Sequence, residues 1–291
     1  MKRRQLGIVL LVLLLVAAAM PLSSCGVEKK VKRSTKTDDI ENPLDAGVYD
    51  SNGNFIQMDW YPDAKMNDLD DTKFRTENGF VIYTGEGYQS AIAIDVSSNQ
   101  GIIDWNAVKA AGVEYAIIRL GYRTYGSGII MTDEFGYYNM KEAAKAGIKL
   151  GVYVFSQAIS IEEAEEEAQF ALDMVKPFEL DLPIYYDTEE INYDVARTDK
   201  LSGEEHAANA IAFCEYIKKA GYTPGIYGNQ MWLCNKMNLY DLEQYSIWLA
   251  KYEKELNYPY EIEAWQYSSE GHVDGIGSVV DLDVILTRKK N

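Results

Sequence analysis

From residue 91 onward, short apolar runs alternate with longer amphipathic stretches. Three junctions repeat one theme. Lys109-Ala110-Ala111-Gly112 precedes an apolar run at 113–119, Lys145-Ala146-Gly147 one at 148–155, and Lys218-Lys219-Ala220-Gly221 one at 222–227. Each reads as a helix end, a Gly suited to the position just past it, and then a buried strand. Lys in a last helical turn also suits the helix dipole. Residues 91–95 supply a first strand, and 182–187 another after Lys176-Pro177. Helices are predicted near 104–111, 133–146, 160–175 and 202–220, with a shorter one near 230–237. Asp133 and Ser160 stand where N-caps belong, and Ser160-Ile161-Glu162-Glu163 has capping-box spacing. The acidic run 162–167 reads as the solvated first turns of its helix.

After about residue 238 the rhythm changes. Runs at 246–250, 262–266 and 279–285 read as strands with no room for full helices between them. Five strand–helix units followed by three strands predict an α/β fold, a closed eight-stranded barrel related to the TIM type, over residues 89–291. An open doubly wound sheet is the alternative. It calls for a Gly-rich loop after the first strand, and Asp95-Val96-Ser97-Ser98-Asn99-Gln100-Gly101 is not one. Residues 41–88 carry weaker signals. A turn cluster at 50–54 sits between Val48-Tyr49 and Phe55-Ile56, as in a hairpin, and 79–83 reads as a strand. This stretch is expected to form a small N-terminal β extension.

The start of the chain has a different character. Lys2-Arg3-Arg4 precedes an apolar run at 8–20, shorter than the roughly 20 residues a spanning helix needs. Leu22-Ser23-Ser24-Cys25 then resembles a bacterial lipobox. Residues 1–24 are expected to be a signal peptide, Cys25 the lipidation site, and 25–40 a basic tether bearing Lys29, Lys30, Lys32, Arg33 and Lys36. Two or three acyl chains on Cys25 suffice for stable anchoring, and the basic residues suit anionic headgroups. The expected location is extracytoplasmic, lipid-anchored to the outer face of the bacterial cell membrane. That location permits a disulfide between Cys214 and Cys234, although their geometry is not readable from sequence.

Composition narrows the partners. A net charge of −17 argues against nucleic acid. The 22 Tyr and 5 Trp outnumber the 8 Phe, a bias toward aromatics with a polar handle that suits hydroxylated ligands. No CxxC pair is present, and the His residues are only His206 and His272, so no metal site or cofactor is predicted.

Barrel enzymes place their chemistry at the C-terminal ends of the strands. Those ends carry Asp95; Arg119 and Tyr122; Phe155-Ser156; Asp187 and Glu189; Tyr227 and Asn229; Trp248 with Tyr252; Trp265-Gln266-Tyr267; and Asp281 with Asp283. Any one of these acids alone also fits a loop-capping role; their convergence suggests a site. In Asp187-Thr188-Glu189, alternate residues of an extended chain face one side. Two such carboxyls cannot ionise independently, so one pKa is expected to rise while the other stays low. Glycoside hydrolysis needs that pairing of an acid and an anion. A structural pair and a divalent metal site are the other readings, the latter weakened by the lack of a nearby His.

The chain from about 91 to 286 resembles glycoside hydrolase family 25, the muramidases of the Chalaropsis-lysozyme type. The resemblance rests on six short motifs in order. They are Asp95-Val96-Ser97-Ser98-Asn99-Gln100-Gly101 with Asp104-Trp105, Gly151-Val152-Tyr153-Val154-Phe155, Asp187-Thr188-Glu189, Trp248-Leu249-Ala250-Lys251-Tyr252, Trp265-Gln266-Tyr267, and Val280-Asp281-Leu282-Asp283. Asp283 stands where the family pattern has Asn. The resemblance implies a flattened (β/α)5β3 barrel and cleavage of the β-1,4 bond between N-acetylmuramic acid and N-acetylglucosamine in peptidoglycan. It implies Glu189 as general acid/base, Asp187 as nucleophile or stabiliser of the intermediate, and Asp95 and Asp281 as supporting acids. It implies sugar subsites lined by Tyr153, Tyr227, Trp265 and Tyr267. The strand ends add Trp248, Gln266, Arg119 and Asp283 as substrate-binding candidates. A non-catalytic wall-binding module, and a glucosaminidase or chitinase-type hydrolase, remain the alternatives.

Overall fold

The computed structural model describes residues 48–49, 55–191 and 194–289. The signal peptide assigned to 1–24, Cys25 and its tether to residue 40 lie outside the described residues, as does the turn at 50–54.

Two hairpins precede the barrel. β1 (Val48–Tyr49) pairs antiparallel with β2 (Phe55–Ile56), as the turn cluster predicts. β3 (Phe74–Glu77) pairs antiparallel with β4 (Phe80–Tyr83). The second hairpin turns on Asn78 and Gly79, at φ 52° and 87°. Positive φ at both central residues gives a turn whose twist matches that of the flanking strands. The sequence reading has a lone strand here; the Asn-Gly pair is the signal it misses.

The barrel follows in chain order as β5 (Tyr88–Val96), α1 (Trp105–Ala110), β6 (Tyr115–Arg123), β7 (Ile130–Thr132), α2 (Gly136–Lys145), β8 (Lys149–Phe155) and α3 (Ile161–Val175). It continues with β9 (Ile184–Asp187), α4 (Gly203–Lys219), β10 (Pro224–Asn229), α5 (Leu239–Leu242), β11 (Ser246–Ala250), β12 (Ala264–Gly271) and β13 (Val280–Arg288). A π-helical turn, Trp232–Lys236, stands before α5. The helix ends are those the repeated theme predicts: Gly147 and Gly221 leave their helices at φ 77° and 90°.

Strand order β5-β6-β8-β9-β10-β11-β12-β13 closes on itself, because β13 pairs back onto β5. Neighbours from β5 to β12 are parallel, and β13 is antiparallel to both its partners. The result is a closed eight-stranded mixed barrel with helices, not an open sheet. β7 is an antiparallel addition at the far end of β6, too short to leave a periodic signal.

The apolar side chains form two layers. One, including Ile118, Val152, Ala168, Phe213 and Ile226, lies between strands and helices. The other fills the barrel and includes Ala93, Ile117, Tyr153, Tyr185, Tyr227 and Trp248. The N-terminal extension covers further strand surface. Phe74 meets the Trp265 ring edge-on at 5.1 Å, and Tyr61 donates its hydroxyl to the Cys234 carbonyl at 2.6 Å. Cys214 and Cys234 are free thiols, both buried.

Three local expectations change. Ser160 does cap α3, accepting from the Glu163 N–H, but the Glu163 carboxylate goes to the Ile159 N–H and to Arg197 rather than completing a box. Asp133 is not the cap of α2. Its carboxylate accepts from the Ser98 and Phe135 N–H groups and from Arg119. The acidic run on α3 is not merely solvated either. Glu167 is wholly buried and pairs with Arg123 at 2.7 Å.

Candidate active site

Strand register decides which side chains meet at the barrel mouth. Asp95 on β5 stands opposite Asp281 on the antiparallel β13. Asp187 ends β9 beside Phe155 of β8 and Tyr227 of β10, and Tyr227 stands beside Trp248 of β11. Glu189 lies two residues past the end of β9, in the following loop. Asp95, Asp187, Glu189, Tyr227, Trp248 and Asp281, with Tyr153, Tyr252 and Gln266, line a cavity of about 200 Å³ at the C-terminal ends of the parallel strands.

The floor of this cavity is aromatic. Trp248 packs against Tyr227 at 4.5 Å, Tyr185 at 5.2 Å and Tyr153 at 5.7 Å between ring centroids. Its indole N–H donates to Asp283 Oδ1 at 2.7 Å. One wall is organised by Gln266. Its Oε1 accepts from the hydroxyls of Tyr227 at 2.8 Å and Tyr252 at 2.7 Å, and its Nε2 donates to Asp95 Oδ2 at 2.7 Å.

Burial dominates the electrostatics. It pushes Asp187 well above the ordinary carboxylate range, and the neighbouring Glu189 raises it further. Burial also raises Glu189, with Asp281 adding to the shift. The spacing predicts one high and one low pKa, but both rise, because the site excludes water from both groups. The two carboxyls act on each other directly, and two raised acids side by side away from water favour a proton held between them. Asp187 Oδ1 is buried with no partner of its own. Asp95 is raised by burial and then by Asp283 and Asp281. Burial brings Asp281 to about 6. None of these carboxyls has an ion-pair partner among the described residues. A group of raised acids without ion-pair partners is suited to proton transfer to a leaving oxygen.

The structure thus brings together Asp95, Asp187, Glu189, Asp281, Tyr153, Tyr227, Trp248 and Gln266. Four candidates lie elsewhere. Trp265 and Tyr267 flank Gln266 on β12, and alternation along a strand turns them to the opposite face. There Trp265 donates its indole N–H to the Lys251 carbonyl and packs on Phe74, while the Tyr267 hydroxyl accepts from the Val81 N–H. Asp283 sits below the floor, fully buried. Arg119 is held outside the cavity lining by Asp133 at 2.8 Å and Ser98 at 3.1 Å, although its charge reaches Asp187. Tyr252 is the lining residue absent from the predicted subsites. Its place at the end of the Trp248–Tyr252 motif is the signal that could have found it.

The model of the family described as glycosyl hydrolases family 25 matches residues 94–276. The chain belongs to this family. Among similar proteins, the autolytic lysozyme of Clostridium acetobutylicum is 28% identical over 192 residues, covering 65% of this chain and 54% of that protein. The modular autolysin LytC of Streptococcus pneumoniae, solved in complex with a synthetic peptidoglycan ligand, superposes with a TM-score of 0.62 at 26% identity. That match covers 72% of this chain and 51% of the other. A bacterial lysozyme from Streptomyces coelicolor matches with a TM-score of 0.55 at 25% identity, covering 66% and 90% of the two chains. The chain thus spans about half the length of the first two of these proteins.

Proposed function

We propose that this chain is a peptidoglycan hydrolase, an N-acetylmuramidase that cleaves the β-1,4 bond between N-acetylmuramic acid and N-acetylglucosamine. The observation that carries the reading is the Asp187–Glu189 pair, adjacent acids that burial raises, lining the mouth of a family 25 barrel. The names of the lysozyme relatives and the peptidoglycan ligand of LytC support the substrate class.

Each lining group then has a role. Glu189, the more exposed of the pair, donates its proton to the glycosidic oxygen and later accepts one from water. Asp187 stays beneath the anomeric centre and stabilises its positive charge or orients the substrate's acetamido oxygen. Asp95 and Asp281 set the charge of the well. The Tyr153, Tyr227 and Trp248 rings give flat apolar area to the C–H faces of pyranose rings. The Tyr227 and Tyr252 hydroxyls spend their protons on Gln266, so each offers lone pairs to sugar O–H and N–H groups.

Mass spectrometry of fragments released from purified peptidoglycan tests the bond. Muramic acid at every new reducing end is the expected result. Glucosamine there would reassign the chain as a glucosaminidase, and wall binding without any fragments would make it a binding module.

The leader motif supports a second part of the proposal: lipidation at Cys25 holds the enzyme at the outer face of the cell membrane. Expressed in a bacterium with lipoprotein processing, the full chain is expected in the membrane fraction and Cys25→Ser is not. Equal partitioning of the two would remove the anchor from the proposal.

A further inference from the structure

Below the cavity floor the chain buries a carboxyl that the chemistry above does not use. Asp283 has none of its surface exposed. Trp248 on β11 satisfies its Oδ1 at 2.7 Å, while Oδ2 has no donor among the described N–H and O–H groups. The place of Asp283 on β13, two residues from the Asp281 that stands opposite Asp95, puts it on the same face as the Asp95 carboxyl of β5, and the two carboxyls act on each other directly. The other titratable groups that face Asp283 are Asp281 on its own strand, Tyr185 of β9 and Tyr267 of β12. Asp95 is also faced by Asp187 from β9, and by Tyr153 and Tyr227 from β8 and β10. No cation contacts the two acids among the described residues. Arg119, which reaches the neighbouring Asp187 and Tyr153, is already paired with Asp133.

Two carboxyls in contact, away from water and without a cation, repel unless a proton lies between them. Asp95 carries the consequence upward, because its other link is Gln266, which holds Tyr227 and Tyr252. We infer that Asp95 and Asp283 form a second proton-sharing pair, and that Asp283 is a positioning residue holding the Gln266 wall in place while the shared proton is present. The effect on turnover rests on the muramidase reading; the pair itself does not.

Loss of that proton leaves adjacent anions under the substrate and loosens the wall from below. Burial raises Asp283 to about 8 and Asp95 above the ordinary range, so the proton survives neutral pH and leaves in the alkaline range. In the unfolded chain both groups ionise near about pH 4. The folded state therefore binds more protons between about pH 4 and about 8, and the pair lowers stability progressively as pH rises through that window. An amide at 283 would keep both contacts, its oxygen accepting from Trp248 and its NH2 donating to Asp95, without titrating.

The test compares the full chain with its Asp283→Asn variant by thermal melts from pH 5 to 9, tryptophan emission against pH, and kcat/KM against pH on peptidoglycan. The variant is expected to melt above wild type by a margin that widens up to about pH 8 and then stops. Its alkaline activity limb is expected to move up by about one pH unit or more. Wild-type emission is expected to show an alkaline step that disappears in both Asp283→Asn and Trp248→Phe. Parallel melting curves, or an emission step that survives in Trp248→Phe, would overturn the pair. An unmoved alkaline limb would overturn the positioning role. If no variant cleaves peptidoglycan while the melting margin still titrates, the muramidase reading falls and the pair stands. If Asp283→Asn does not fold, the emission step in wild type and Trp248→Phe decides.

Discussion

Glu189→Gln is expected to lower release of reducing sugars from purified peptidoglycan by about 10³-fold or more, to the limit of detection. The amide has nearly the same shape and can still hydrogen-bond Asp187, but it has no proton to give the leaving oxygen. Asp187→Asn is expected to cost about 10²- to 10³-fold, because a neutral amide cannot stabilise positive charge at the anomeric carbon. Neither loss should come from unfolding. Both carboxyls are raised by burial, so in the folded state each resists the ionisation it would undergo freely when unfolded. Each therefore lowers stability as pH rises from the ordinary carboxylate range toward its folded value. Replacing either acid removes that penalty, and both variants are expected to melt at or above the wild-type temperature at pH 7. Activity assays paired with thermal melts check both halves. Full turnover by Glu189→Gln would place the acid elsewhere and end the assignment; low turnover with a lowered melting temperature would mean that these carboxyls hold the fold together.

The barrel was legible because each strand–helix junction carries its own local signal. Lys-rich helix ends and a following Gly announce themselves within a few residues, as at Lys145-Ala146-Gly147. The acids of the site were legible because they stand at strand ends. Their partnerships were not. Asp95 meets Asp281, and Arg123 on β6 meets Glu167 on α3, through register and packing across long stretches of chain. No local pattern encodes such contacts. Trp265 and Tyr267 show the opposite failure. The alternation that turns them away from Gln266 was present in the sequence, but reading the three residues as one motif obscured it. Their burial also needed a partner that the weak signals of residues 41–88 did not announce, the hairpin carrying Phe74. The raised pKa of both members of the Asp187–Glu189 pair belongs to the same class. Spacing gives the proximity of two acids, and only the packed barrel gives their burial.

The pairing of Arg123 with α3 leads to the largest expected loss of stability. The Arg123 side chain is 4% exposed and that of Glu167 is fully buried. Its guanidinium donates to Glu167 at 2.7 Å, to the Gly128 and Glu163 carbonyls at 2.8 Å each, and to Glu166 at 3.2 Å. Burial already pushes Glu167 up to about 7, against the pull of Ser156 and Arg123. Arg123→Ala removes the cation and leaves the acid, so it is expected to cost about 3–5 kcal/mol. At about 2–4 °C per kcal/mol for a chain of this size, that is a fall of about 10 °C in Tm. The cost should depend on pH. Without Arg123 the Glu167 pKa rises further, so the variant can neutralise the orphaned acid by protonation at pH 5 but pays increasingly for its charge or its retained proton as pH rises to 8. Melts at pH 5 and 8 are expected to show the larger gap at pH 8, and Arg123→Met with Glu167→Leu is expected to recover much of the loss. A gap under about 1 kcal/mol, or one independent of pH, would mean that the pair is not an organising contact. Activity should fall as well. Glu163, whose carbonyl Arg123 holds, also binds Arg197 through both carboxylate oxygens, at 2.9 and 2.8 Å. Arg197 in turn ties the segment after Glu189 to the Tyr125 carbonyl. Without Arg123 the wall that carries the proposed acid loses its inner anchor, and turnover should fall along with stability although no substrate contact has been touched.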